Sequence, residues 1–257
     1  MPNPPAIELT GVTVRTEGRT RIDDVSLSVA AGSILGVTGL DGCGKSTLLS
    51  LMSTLIRPTE GHMRLFGEDT GEVGSAGRRE LRLRIGAVFE EGALLEGLTV
   101  AENIELPLTR HELSKEELAE RTEYWLAQLE LTGYRDLLPY QLSTSLTRRT
   151  ALARALAPEP RLLICDEVTT GLDLKAILTF NRMLRRLRDQ HGTTIVLAVD
   201  DLAQMSRMAD QVAVLDAGRL AFMGDLARLR AQCREDTVLR NIFDDDVWST
   251  AFPAAAP

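Results

Sequence analysis

The chain has 257 residues, 44% hydrophobic and 26% charged, the balance of an ordinary globular protein. A net charge of -8 and a pI near 5.1 argue against nonspecific nucleic-acid binding. Cys43, Cys165 and Cys233 suggest no disulfide framework or metal cluster and fit a reducing compartment, and no apolar run reaches the length of a membrane span.

The N-terminus, Met1-Pro2-Asn3-Pro4-Pro5, has neither a basic start nor an apolar core, so a cytoplasmic chain is expected. Alternating apolar residues predict strands over Ile7 to Val14 and Val25 to Val29. Ser33 to Val37 reads as a buried strand, and Thr47 to Met52 as a helix. Between them Gly39-Leu40-Asp41-Gly42-Cys43-Gly44-Lys45-Ser46-Thr47 fits Gly, four residues, Gly-Lys-Ser. The glycines let backbone N–H groups turn toward phosphate oxygens, and the helix N-terminus adds a partial positive charge. Lys45 is positioned for β- and γ-phosphates and Ser46 for Mg²⁺, so a nucleoside triphosphate is the expected ligand. Lysine occurs only at Lys45, Lys115 and Lys175, which makes its retention here pointed. Cys43 lies beside a helix N-terminus, a place that lowers a thiol pKa; the plainer reading is a small residue filling the loop.

Gly61 to Gly67 and Ile85 to Phe89 read as further strands. From about Thr99 to Pro158 the period becomes helical, with Ser114 heading one helix and Ser143 capping another that runs through Arg154. Strand and helix then alternate. Arg161 to Cys165 is an apolar strand leading to Asp166-Glu167. Ala176 to Gln190 is amphipathic, and Thr193 to Val199 is β-branched and buried. Val212–Leu215 and Leu220–Phe222 form a hairpin around Ala217-Gly218. This alternation predicts an α/β fold with a mixed, mostly parallel sheet. Leu239, Ile242 and Phe243 have helical spacing and predict a final helix on the chain's own core, with docking onto another subunit as the alternative. Asp244-Asp245-Asp246 reads as a solvated turn, and the histidines share no ligand spacing.

An apolar strand ending in Asp166-Glu167 puts one carboxylate where it reaches Mg²⁺ and a second where it activates water. Together with the phosphate loop, Ala151-Leu152-Ala153-Arg154-Ala155-Leu156 and Gly171-Leu172-Asp173, this order resembles the ATP-binding cassette (ABC) ATPases over residues 6–225. Gly92-Ala93-Leu94-Leu95, Pro107-Leu108 and Arg148-Arg149-Thr150-Ala151-Leu152 are most similar to the ATPases of bacterial MCE/Mla-type lipid transporters. The resemblance implies a P-loop NTPase cassette with an N-terminal antiparallel β part. Its core would be residues 6–89 and 161–225, with a helical subdomain at about 90–160 and a tail at 226–257. It implies ATP and Mg²⁺ as cofactors, with Ser46, Asp166 and Glu90 at the metal. It implies Glu167, Asp200 and Glu90 in the catalytic positions. Ser143, Thr144 and Ser145 would face the nucleotide of a second cassette, identical or different. A polytopic membrane permease is the further partner, the tail is a candidate contact for an accessory subunit, and nucleic acid is not expected. The chain would sit at the inner face of the cell membrane.

Four positions depart from that family pattern. No aromatic residue lies between Ile7 and Leu35, so the adenine stack expected near Thr16 is missing. Such stacking is worth roughly 1–3 kcal/mol per base. The usual Gln is Glu90, and the signature Leu-Ser-Gly-Gly-Gln is Leu142-Ser143-Thr144-Ser145-Leu146. Asp200 stands where the family carries His, an acceptor that repels the γ-phosphate. One lost transition-state donor costs about 3–4 kcal/mol, so ATP binding with slow turnover is expected. A catalytically silent subunit is the alternative, and a soluble cassette for DNA repair or translation is less favoured.

Overall fold

The computed structural model describes residues 4–89, 93–111, 113–170 and 172–243. Two sheets carry the chain. The first is antiparallel, with strands β1 (Ile7–Thr16), β2 (Arg19–Val29), β4 (Glu60–Leu65) and β5 (Glu68–Asp69) in the order β2-β1-β4-β5. The second uses β3 (Ile34–Thr38), β6 (Ile85–Val88), β7 (Leu162–Asp166), β8 (Thr194–Ala198), β9 (Gln211–Asp216) and β10 (Arg219–Gly224). Its order is β10-β9-β3-β8-β7-β6, parallel except for the antiparallel β10.

The central strands are apolar along their whole length because both faces are covered. Successive residues divide strictly between two cores, as the two-residue period of a strand requires. Leu35, Val37, Leu162, Ile164, Val196, Ala198, Ala213 and Leu215 face one core, shared with the antiparallel sheet and α1 (Lys45–Met52). Ile34, Leu163, Cys165, Ile195, Leu197, Val212 and Val214 face the other. There they meet α3 (Val100–Leu108), α4 (Lys115–Gln128), α5 (Thr144–Leu156), α6 (Leu174–His191) and α7 (Leu202–Ser206).

The expected helical segment is present. Thr99 and Ser114 each begin a helix with a reciprocal capping box to Glu102 and Glu117, and Ser143 caps α5 through the amide of Leu146 at 3.3 Å. The remaining helices are α2 (Ser75–Leu83), α8 (Leu226–Gln232) and α9 (Thr237–Ile242). Leu229, Leu239 and Phe243 of the last segment are buried in the second core, so as far as Phe243 the tail packs on its own chain. The aspartate run at 244–246 and the apolar residues after it lie outside the described residues. No helix is long and apolar enough to cross a membrane.

Candidate functional site

Strands β3, β8, β7 and β6 run parallel, so their C-terminal ends open on one edge of the sheet. The phosphate loop leaves β3 there, Asp166-Glu167 end β7, and Val199-Asp200 follow β8. Residues distant in sequence are thereby gathered at one edge. Glu90 follows β6, but both it and Gly171 lie outside the described residues.

Within the loop, Gly39, Gly42 and Gly44 have φ of 146°, 75° and 114°, values that side chains other than hydrogen rarely tolerate. A Cβ on Gly39 would collide with the carbonyl of Leu215, and one on Gly44 would lie 2.8 Å from the carbonyl of Arg21. Helix α1 starts at Gly44 with no side-chain cap and no acidic residue in its first turn. Its first amides are therefore offered to an external anion, which is the cradle that phosphates require. The β9–β10 turn braces the loop, with the amide of Gly218 donating to the carbonyl of Cys43 at 2.9 Å. That brace, which depends on the tight turn at Ala217 (φ 46°) and Gly218 (φ 84°), was not foreseen in the loop motif.

Lys45 is buried, yet it is held by acceptors rather than alone. Its Nζ donates to the carbonyl of Gly39 at 2.9 Å and pairs with Asp200 Oδ1 at 3.0 Å, with Asp41 Oδ1 at 3.9 Å. Burial alone would pull its pKa down, but the hydrogen bond and charge of Asp200, helped by Cys43 and Glu167, outweigh it and hold the ammonium above its ordinary value. Asp200 thus acts in a way the sequence did not suggest. It is an acceptor for the lysine of the phosphate loop.

Of the two readings of Cys43, the packing one fits and the alternative of a lowered thiol pKa does not. The side chain is buried, and desolvation pushes its pKa up, offset only in part by the charge of Lys45. The plain packing reading fits: its Sγ fills the space beside Gly39. Cys165 is fully buried and pushed up as well, by desolvation and the neighbouring Asp166.

Asp166 is buried at the end of β7. Glu167 follows at φ 49°, a left-handed conformation unusual for a glutamate and characteristic of strained functional turns. Ser46 is exposed on the first turn of α1. The cradle, the buried ammonium, a hydroxyl and these two carboxylates form a donor set that suits a triphosphate with a hard divalent cation. Thr47, by contrast, is half-buried, and Leu40 and Asp41 are exposed at the loop's tip.

Ser143, Thr144 and Ser145 stand apart, at the start of α5. Ser143 Oγ is used by the amide of Leu146 and its carbonyl by the Thr147 hydroxyl at 3.1 Å. Ser145 instead lines a cleft of about 700 Å³ shared with Leu172, Asp173 and α6.

A buried chain of polar side chains also escaped the motifs. Thr169, just beyond Glu167, donates its hydroxyl to Gln204 Oε1 at 3.1 Å, and Gln204 Nε2 donates to Asn181 Oδ1 at 3.0 Å. Gln204 sits on α7, whose N-cap is Asp201, the residue after Asp200. The only sequence signal was polar residues at inward positions of otherwise apolar segments. Asn103 is similar: fully buried, it accepts from the amide of Leu95 at 2.9 Å and donates to the carbonyl of Leu98 at 2.9 Å, fixing the segment that enters α3.

Residues 22–170 match the family model described as ABC transporter. The chain is 37% identical over 236 residues to the methionine import ATP-binding protein MetN of Caulobacter vibrioides, covering 92% of this chain and 71% of that one. It is 37% identical over 208 residues to MetN of Mannheimia succiniciproducens, covering 81% of this chain and 60% of that one. The chain thus spans less than two thirds of the second relative. In structure it is similar to the ATP-binding cassette MJ0796, solved as a dimer in a post-hydrolysis state with ADP and Pi. The TM-score is 0.79 at 29% identity, over 86% of this chain and 98% of that chain. With the phosphate loop, the acidic strand end and the two-sheet frame all in place, the chain belongs to the ABC transporter family of ATP-binding cassettes.

Proposed function

We propose that the chain is the nucleotide-binding subunit of an ABC transporter. In this reading it binds Mg-ATP between two cassettes, sits peripherally at the cytoplasmic face and couples to a membrane permease. ATP with Mg²⁺ is the cofactor pair of this family, and the uncapped α1 terminus with its glycine cradle suits it. The residues from Gly39 to Thr47 hold the phosphates. Ser46 and Asp166, with Glu90, hold the cation, which when bound neutralises charge on the phosphate oxygens. Glu167 orients and deprotonates the attacking water. Ser143, Thr144 and Ser145 are presented to the nucleotide of the facing cassette, and the dimeric neighbour supports that assembly.

We further propose that turnover is slow, on one observation: Asp200 pairs with Lys45 at 3.0 Å. Nucleotide entry must break this pair, and the displaced carboxylate then remains near the phosphates. A donor at this position would help instead. The test is steady-state ATPase activity of the wild-type chain and Asp200→His, each beside its Lys45→Ala counterpart. Faster turnover in Asp200→His supports the reading. Wild-type turnover already well above the Lys45→Ala background, and unchanged by Asp200→His, overturns it. ATP binding without turnover in every form would instead favour a silent regulatory subunit.

For the cargo, the relatives' printed names support import of methionine or a similar amino acid. Lipid movement rests on the resemblance of Gly92-Ala93-Leu94-Leu95, Pro107-Leu108 and Arg148-Arg149-Thr150-Ala151-Leu152 alone, so amino-acid import is the reading we adopt. Uptake of labelled methionine, against labelled phospholipid, by the complex purified with its permease decides between them.

A further inference from the structure

A cluster of arginines lies outside the phosphate loop. Helix α2 carries Arg78, Arg79 and Arg82, and Arg57 and Arg110 close the same cleft, of about 600 Å³. In a chain of net charge -8 this is a local reversal of sign. Other arginines are matched by carboxylates, as Arg84 is by Glu68 at 2.8 Å and Arg188 by Asp210 at 2.8 Å. Among the described residues none of the five cleft arginines forms an ion pair with a carboxylate. Arg78 donates to the carbonyl of Val73 at 2.9 Å, and Arg82 donates to the carbonyl of Thr54 at 2.8 Å. Those two are fixed in place without being neutralised.

We propose that this cleft binds a multiply charged, phosphate-bearing anion. Guanidinium forks match phosphate oxygens two at a time, and five arginines line this one cleft. Helix α2, nine residues long, begins at the cleft-lining Ser75 with no side-chain cap and no acidic residue in its first turn, adding positive potential of the same sign. The lining includes one aliphatic side chain, Leu83, so a docked protein segment would find little apolar surface to bury, whereas a phosphate needs none. The phosphate belongs either to a free polyphosphate or to the headgroup of an anionic lipid. The inference stands independently of the cargo and turnover proposed above.

The test removes the phosphate loop from the reading by using full-length Lys45→Ala as parent. Its derivative Arg57→Ala/Arg79→Ala/Arg110→Ala omits the two arginines that brace the fold; the three replaced side chains are exposed and donate no hydrogen bond among the described residues. One arm measures inorganic pyrophosphate binding by calorimetry at low and raised salt. The other measures flotation with phosphatidylcholine vesicles with and without phosphatidylglycerol. Salt-sensitive binding by the parent, weakened about tenfold or more in the triple variant, is expected in at least one arm. Pyrophosphate binding alone assigns the site to a free anion, and binding to phosphatidylglycerol vesicles alone assigns it to a lipid headgroup. Equal binding by parent and variant, or no binding in either arm, overturns the proposal. So does loss of the permease alone on co-purification of the triple variant, which would make the cleft a contact for an acidic protein segment. Matching thermal melts of the two proteins guard against misfolding.

Discussion

Lys45 Nζ and Asp200 Oδ1 are 3.0 Å apart, so the lysine of the phosphate loop already has an anionic partner of its own chain. Lys45 is buried while the Asp200 side chain is 57% exposed, so the carboxylate is the member free to leave. In the reading proposed above, the pair competes with incoming phosphate.

The first prediction concerns that competition. Asp200→Asn removes the charge and leaves a weaker acceptor of the same shape. A hydrogen bond to a charged group contributes about 1.5–3 kcal/mol, so Mg-ATP affinity should rise on the order of tenfold. Equilibrium titration with a fluorescent ATP analogue reads this directly. An unchanged or weaker affinity would show that the pair preorganises Lys45 instead of occupying it.

Gly44→Ala should abolish nucleotide binding while leaving the sheets folded. The added Cβ meets the carbonyl of Arg21 at 2.8 Å in a backbone with φ 114°. Backbone strain of this kind costs about 1–3 kcal/mol, and relaxing it displaces the amides of α1. Far-UV circular dichroism and ATP titration on the same sample separate the two effects.

Gln204→Leu should destabilise the chain by about 2–4 kcal/mol, because it strips partners from both Thr169 and Asn181 in a buried setting. Urea unfolding measures that cost. Thr169→Val combined with Gln204→Leu should cost less than the sum of the two single changes, since each removes the same hydrogen bond.

Acid should loosen the helical segment in a particular window. Glu102 and Glu117 receive backbone and hydroxyl hydrogen bonds from Thr99 and Ser114, which hold both pKa values below the ordinary glutamate value. Their folded-state pKa values lie below the unfolded ones. Their contribution is therefore complete above the unfolded value and disappears as pH falls through the folded one. Glu102→Ala should lower the melting temperature at neutral pH, and the difference from wild type should shrink as the buffer is taken below pH ~4.

Leu239→Ala should destabilise by about 2–5 kcal/mol, as for a fully buried leucine, although it lies near the end of the chain. Calorimetric unfolding tests whether α9 belongs to the same cooperative unit. A change near zero would mean that α9 melts separately.

Much of this structure could be read in advance where local chemistry decides the outcome. The continuous apolar runs at β7, β8 and β9, the Gly-Lys-Ser loop and the serine caps at Ser114 and Ser143 each carry their own signal within a few residues. Boundaries moved by small steps: the first strand extends to Thr16, and β2 begins at Arg19. The Lys45–Asp200 pair was hidden because it joins two loops brought together only by the adjacency of β3 and β8. The chain from Thr169 through Gln204 to Asn181 was hidden because isolated inward polar residues do not announce their partners. The packing reading of Cys43 held, and the alternative of an activated thiol failed for a related reason. Proximity to a helix terminus is visible in sequence, but the burial that outweighs it is not.

The brace between Cys43 and Gly218 has a consequence for how the chain comes into being. The phosphate loop is complete as a motif well before the carbonyl of Leu215 and the amide of Gly218 that shape it are synthesised. A nascent chain lacking the β9–β10 hairpin would carry the motif without its geometry. Nucleotide capture thus reports closure of a very long loop, and it should be gained only once that hairpin is in place.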